Sequence, residues 1–162
     1  MKKKNSMDTQ TQNVVLKDLN WRYATKAFDS DKTLSNEILE VLIESVRLSA
    51  SSYGLQPYHI LVISDPELRR KIRPACWDQS QITDSSHLFV FTHKTDFNAS
   101  LIDTYLECVA DQRNVPLSEL KGYGDFMKDK LLDWPAAQKA AWTARQAYIA
   151  LGNLLHTAAR LE

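Results

Sequence analysis

The chain predicts an α+β fold, and three observations carry that prediction. Helical periodicity recurs along most of the sequence, only two stretches read firmly as strands, and both strands are apolar on each face. Strands of that kind need helices packed on both sides of their sheet. A mostly helical domain around a small covered sheet follows.

Each element has a local reason. Residues 1–11 are polar and aperiodic and are expected to form a disordered arm, with residues 12–162 as the folded domain. In "TQNVVLKDLNW", Val15, Leu16 and Leu19 fall at helical spacing up to Trp21, and "RYATKAF" after them reads as extended. Ser35 can accept a hydrogen bond from the free amides opening "NEILEVLIESVRLSA". Glu37 sits in its positive first turn, and Ile38, Leu39, Leu42, Ile43 and Val46 form one wide apolar face. The loop "SASSYGLQP" leads into the first interior strand, "YHILVIS", with Pro57 at its entry. Asp65 and Pro66 supply a cap and a first residue for a short helix through "ELRRKIR".

The second interior strand is "HLFVFTH", residues 87–93. Helices are expected over 98–112, with Leu101, Ile102, Tyr105, Leu106 and Val109 on one face, and over 118–132, where "GYGDF" reads as a loop or helix distortion. Asp133 and Pro135 open the longest helix, in which Ala144, Tyr148, Leu151, Leu155 and Ala158 recur at three and four. That pattern runs to Leu161 without a Gly or Pro stop, and two strands alone leave unpaired edges. Part of the fold is therefore expected beyond residue 162 or in another subunit.

Composition narrows the function classes. The chain is 44% hydrophobic and 25% charged, as for one soluble globular domain, and its 20 basic and 20 acidic residues cancel. Net charge thus gives no reason to expect nucleic acid or an anionic membrane as partner. No stretch approaches the roughly 18 apolar residues that span a bilayer, and no apolar run follows the basic start to make a signal peptide, so a cytoplasmic location is expected. Cys76 and Cys108 form no CxxC pair and read as buried thiols of a reducing compartment.

Several chemistries are absent from the motif content. There is no GxxxxGK[ST], GxGxxG or GxSxG, and the four histidines lack ligand spacing, so no metal site is expected. Three polar sets at element ends remain. "RYATK" offers Arg22 and Lys26, which suit a phosphate or an electron-rich ring oxygen. "SASSYGLQP" offers the Ser51 and Ser52 hydroxyls and the permissive backbone of Gly54. "WDQSQ" offers Asp78 and Gln81, a carboxylate and an amide able to read a heterocycle edge.

In this order the three sets resemble the nitroreductase family of flavin enzymes. "RYATKAFD" is similar to its Arg-x-x-x-Lys opening, "SASSYGLQPYHI" to its serine loop, "WDQSQITDSSHLFVF" to the segment before its second strand, and "WTARQAYIALGNLL" to its dimer-forming helix. The resemblance implies an α+β nitroreductase fold, a homodimer, and FMN at the dimer interface. It implies that Arg22 meets the flavin phosphate and Lys26 the pyrimidine end of the ring, with Tyr23 and Ala24 between them. Ser51, Ser52 and Gly54 would cover the flavin from the other subunit, Asp78 and Gln81 would face its edge, and Tyr53 and Phe126 would wall the substrate.

The activity so implied is transfer of reducing equivalents from NADH or NADPH through FMN to a nitroaromatic, quinone or pteridine-like acceptor, with no side chain as nucleophile. Dihydropteridine and free-flavin reductases would share every motif. The family's later Glu-Gly pair and basic phosphate ligands have no counterpart here, so a C-terminally truncated member that binds flavin poorly is expected. The alternative is a non-catalytic helical dimerisation or binding module, or an inactive fragment.

Overall fold

The computed structural model describes residues 9–161, with side chains from residue 13. Among them are seven α-helices and one two-stranded sheet. The chain falls into two compact units. The first gathers the described residues up to Arg47, Ser64–Leu88 and those from Gly152 on; the second is Leu48–Ile63 with Phe89–Leu151.

In the first unit, helix α1 spans Thr9–Trp21, so residues 9–11 are helical rather than part of an arm; residues 1–8 lie outside the described residues. Among its described side chains the buried one is Asp18, 4% exposed and held by Arg160 Nη1 at 3.0 Å, while Val15, Leu16 and Leu19 are exposed. Helix α2, Asn36–Arg47, begins as its cap requires: Ser35 Oγ accepts from the Ile38 amide at 3.3 Å. Leu42 and Val46 are buried but Ile43 is exposed, so the apolar face is narrower than expected. Helix α3, Pro66–Ile72, is capped by Asp65, whose Oδ1 accepts from the Leu68 amide at 2.6 Å. A 3₁₀ turn, Arg73–Cys76, and a one-turn helix α4, Gln81–Asp84, complete the crossover.

In the second unit, strands β1, Tyr58–Ile63, and β2, Leu88–His93, run antiparallel. The Lys94 amide donates to Pro57 O, and Thr92 Oγ1 to His59 O, so numbering rises on one strand as it falls on the other. Both strands are only partly covered; His59, Leu61, Thr92 and His93 are exposed, unlike the interior strands expected. Helix α5, Ala99–Arg113, is capped by Asn98, and helix α6, Lys121–Leu131, follows a 3₁₀ turn at Leu117–Leu120.

"GYGDF" is regular α6 and not a distortion. Gly124 is the contact point with α5: a Cβ there would lie 2.5 Å from Leu106 Cδ1, and its absence lets the two helices close. Leu55, Phe97, Ile102, Leu106, Met127, Leu131 and Trp142 form the core of this unit. Helix α7, Ala136–Leu161, contributes Trp142. Neither cysteine is buried: both are free thiols, Cys76 half-covered and Cys108 exposed on α5. No helix among the described residues is long and apolar enough to cross a membrane.

Candidate functional site

The expected site residues fall into two groups, one in each unit. In the first unit, α1 stops at Trp21 and residues 22–29 adopt no regular element. Arg22, Tyr23, Ala24 and Lys26 are all exposed on this segment. Neither Arg22 nor Lys26 has a hydrogen-bond or ion-pair partner among the described residues. Two cations four residues apart, held by no carboxylate, can take an anion without first breaking a salt bridge.

The start of α4 lies beside this segment. Gln81 Nε2 makes a long contact, 3.5 Å, to the Thr25 carbonyl, which brings the first and third polar sets together. Asp78 is less free than its sequence position implied. Arg73 Nε lies 2.8 Å from its Oδ1 and donates to its backbone carbonyl at 3.1 Å. Consecutive left-handed residues, Trp77 and Asp78, both at φ 55°, turn the loop outward and leave the Trp77 ring 90% exposed. Neither is glycine, so the turn stores backbone strain. Trp77 was not singled out as a site residue; a tryptophan opening a polar loop was the available signal.

In the second unit, the serine loop is shaped by its own polar groups. Ser51 Oγ accepts from the Gln56 amide at 3.0 Å, and the Ser52 amide donates to Oε1 of the buried Gln146 on α7 at 2.8 Å. Tyr53, Gly54 and Gln56 all have positive φ, 58°, 76° and 40°. Gly54 therefore answers to its own chain: a Cβ on it would stand 2.7 Å from Tyr105 Oη.

Tyr53 and Phe126, the two expected substrate-wall residues, meet edge to face with ring centroids 6.3 Å apart. Tyr53 is partly buried against the core and Phe126 is exposed. Tyr105 and Tyr123 join them, and neither was anticipated as a site residue. Tyr123 follows from helical spacing, three residues before Phe126; Tyr105 had been assigned only to the apolar face of α5. Burial, and then the neighbouring phenols of Tyr105 and Tyr53, push the Tyr123 hydroxyl above its ordinary pKa. An open cavity of about 700 Å³ adjoins the loop, lined by Gly54, Gln56, Lys94, Phe97, Leu101 and Tyr105 among others.

With this geometry in place, comparison with known proteins gives the class. The nitroreductase family model matches residues 19–162. The major NAD(P)H-flavin oxidoreductase of Aliivibrio fischeri is 35% identical over 154 residues, covering 91% of this chain and 71% of that protein. YfkO of Bacillus subtilis is 34% identical over 164 residues, covering 95% and 72%. Among solved structures, a protein from Exiguobacterium sibiricum in complex with FMN superposes with TM-score 0.75 at 19% identity, over 90% of this chain and 70% of that one. A nitroreductase-like protein from Streptococcus mutans gives TM-score 0.76 at 14% identity, over 93% and 71%. The chain belongs to the nitroreductase family of oxidoreductases and has its α+β fold.

Proposed function

We propose that the protein is an FMN-dependent NAD(P)H oxidoreductase that reduces nitroaromatic, quinone or related acceptors. The observation that carries this reading is the pair Arg22 and Lys26, exposed and without a partner among the described residues, on an irregular segment within the family match. Their chemistry fits FMN: a guanidinium suits the phosphate, an ammonium suits the electron-rich edge of the ring, and Gln81 stands beside the same segment. Asp78 fits less well, because Arg73 engages its carboxylate. The relative in Aliivibrio fischeri, named for NAD(P)H and flavin, supports the same cofactors.

The chemistry a bound FMN would supply is redox transfer between a nicotinamide donor and the acceptor. The side chains would bind and orient. Arg22 would hold the phosphate, Lys26 would place positive charge by the ring, and Tyr53 and Phe126 would exclude water from the acceptor's face. Ser51 and Ser52 would keep the loop in shape, through the Gln56 amide and Gln146, so that it can cover the cofactor held by the second copy of the chain.

A homodimer belongs to the same reading. Tyr148 and Leu155, seven residues apart and so on one stripe of α7, are 73% and 48% exposed, and a Cβ on Gly152 between them would meet nothing within 4 Å. Such a stripe suits a second copy of the chain.

The test is direct. The purified chain is titrated with FMN, its visible absorbance is recorded, and NADH or NADPH is added without oxygen. Weak but saturable flavin uptake and bleaching on nicotinamide addition are expected. A chain that takes up no flavin at any FMN concentration would overturn the reading in favour of a non-catalytic helical binding module or an inactive fragment.

A further inference from the structure

Helix α6 carries Tyr123, Phe126 and Lys130, which at 3.6 residues per turn fall within an arc of about 60°. This stripe borders the buried face made by Gly124, Met127 and Leu131. Tyr123 and Phe126 are 42% and 48% exposed, although Phe126 meets Tyr53, which packs against the core. Lys130 Nζ lies 5.9 Å from the Phe126 ring centroid, a cation set over an aromatic face. Tyr53, in a left-handed conformation that its side chain disfavours, closes the other side with its ring edge to Phe126. Among the described residues, nothing accepts or donates a hydrogen bond at the Tyr53 or Tyr123 hydroxyl. The result is an aromatic platform with a free phenol and an ammonium along its rim.

The rim has one acid neighbour. Asp129 pairs with Lys130 at 2.9 Å, but it sits about 100° further round the helix, toward solvent, and both side chains are more than half exposed. An ion pair of that kind is weak and exchangeable. The Lys130 ammonium is therefore open to a second anion lying on the aromatic side.

We propose that this stripe selects planar aromatic acceptors bearing an anionic oxygen substituent, a carboxylate or sulfonate, with the ring on Phe126 and Tyr53 and the anion on the Lys130 ammonium. The inference rests on the oxidoreductase reading only in calling the bound molecule an acceptor. Its neutral counterpart would gain the ring contact and lose the charge.

The experiment is equilibrium dialysis of 4-nitrobenzoate and of nitrobenzene against the FMN-treated chain, at low salt and at high salt. The carboxylate is expected to bind about 5- to 10-fold more tightly at low salt, and the preference to shrink at high salt as the ammonium is screened. Lys130→Met should abolish the preference, Lys130→Arg should keep it, and Phe126→Ala should weaken both ligands. Equal affinities in the parent chain, or a preference that survives Lys130→Met, would overturn the proposal. Flavin uptake and nicotinamide bleaching, measured on the same samples, decide the oxidoreductase reading separately. A chain without flavin that keeps the Lys130-dependent preference would refute that reading alone and support the platform.

Discussion

The Tyr105 hydroxyl occupies the place a side chain on Gly54 would need. An ideal Cβ there would stand 2.7 Å from Tyr105 Oη and 3.1 Å from two of its ring atoms, at a φ of +76°. Both steric and torsional terms therefore forbid a larger residue. Gly54→Ala is expected to destabilise the chain by about 1–3 kcal/mol, combining the left-handed cost with local overpacking. Tyr105→Phe in the same chain should recover part of that loss, by removing the nearest atom, and not the torsional part. Urea unfolding of the three variants checks the ordering.

Gly124 poses the opposite balance, because it sits in a regular helix. Alanine there would raise helix propensity by about 1 kcal/mol. It would also put a methyl 2.5 Å from Leu106 Cδ1 in the core between α5 and α6. The overpacking cost of about 1–3 kcal/mol should win. Gly124→Ala is expected to lower the unfolding midpoint, and adding Leu106→Val to raise it again; a more stable single variant would contradict the close-approach role.

The Ser52 amide depends on Gln146, which is 5% exposed and bonded to it at 2.8 Å. Gln146→Leu preserves bulk but leaves that amide without its acceptor, at about 1–3 kcal/mol. Thermal unfolding should register the loss. Under the flavin reading, FMN affinity should fall with it, since the loop that covers the cofactor loses its brace.

Arg22→Ala should weaken FMN binding by about 10- to 150-fold, from a charge-assisted hydrogen bond of about 1.5–3 kcal/mol. Stability should hardly change, because the side chain is exposed and has no partner among the described residues. Fluorescence titration of free flavin gives the dissociation constant. An unchanged value would remove Arg22 from the site.

Asp96 supplies a pH-dependent contribution. Its carboxylate accepts from Lys139, 3.1 Å away, and from the Phe97 amide at 2.8 Å; Lys139 first, then that amide, hold its pKa below the ordinary 3.8. A lowered folded-state pKa means the unfolded chain binds the proton more readily. The stabilisation is thus present above the ordinary value and lost as pH falls through the folded one. Asp96→Asn should flatten the acid limb of a stability–pH curve and leave its neutral region parallel to the parent.

Local pattern was enough for much of this protein. Ser35, Asp65 and Pro66 act on amides within a few residues of themselves, so α2 and α3 begin where those residues dictate. Apolar periodicity likewise located α5, α7 and both strands, and the ordered motifs were sufficient for the family. What periodicity cannot assign is which apolar side chains find a partner. Val15, Leu16 and Ile43 keep helical spacing yet stay exposed, while Asp18 is buried because Arg160, 142 residues away, meets it. The same holds at the candidate site. Arg73 claims Asp78, Gln146 braces Ser52, and the Tyr105 hydroxyl explains Gly54, each through a contact made only when distant segments pack. A residue's chemical capacity is local, but whether that capacity is already satisfied depends on what the rest of the chain brings beside it.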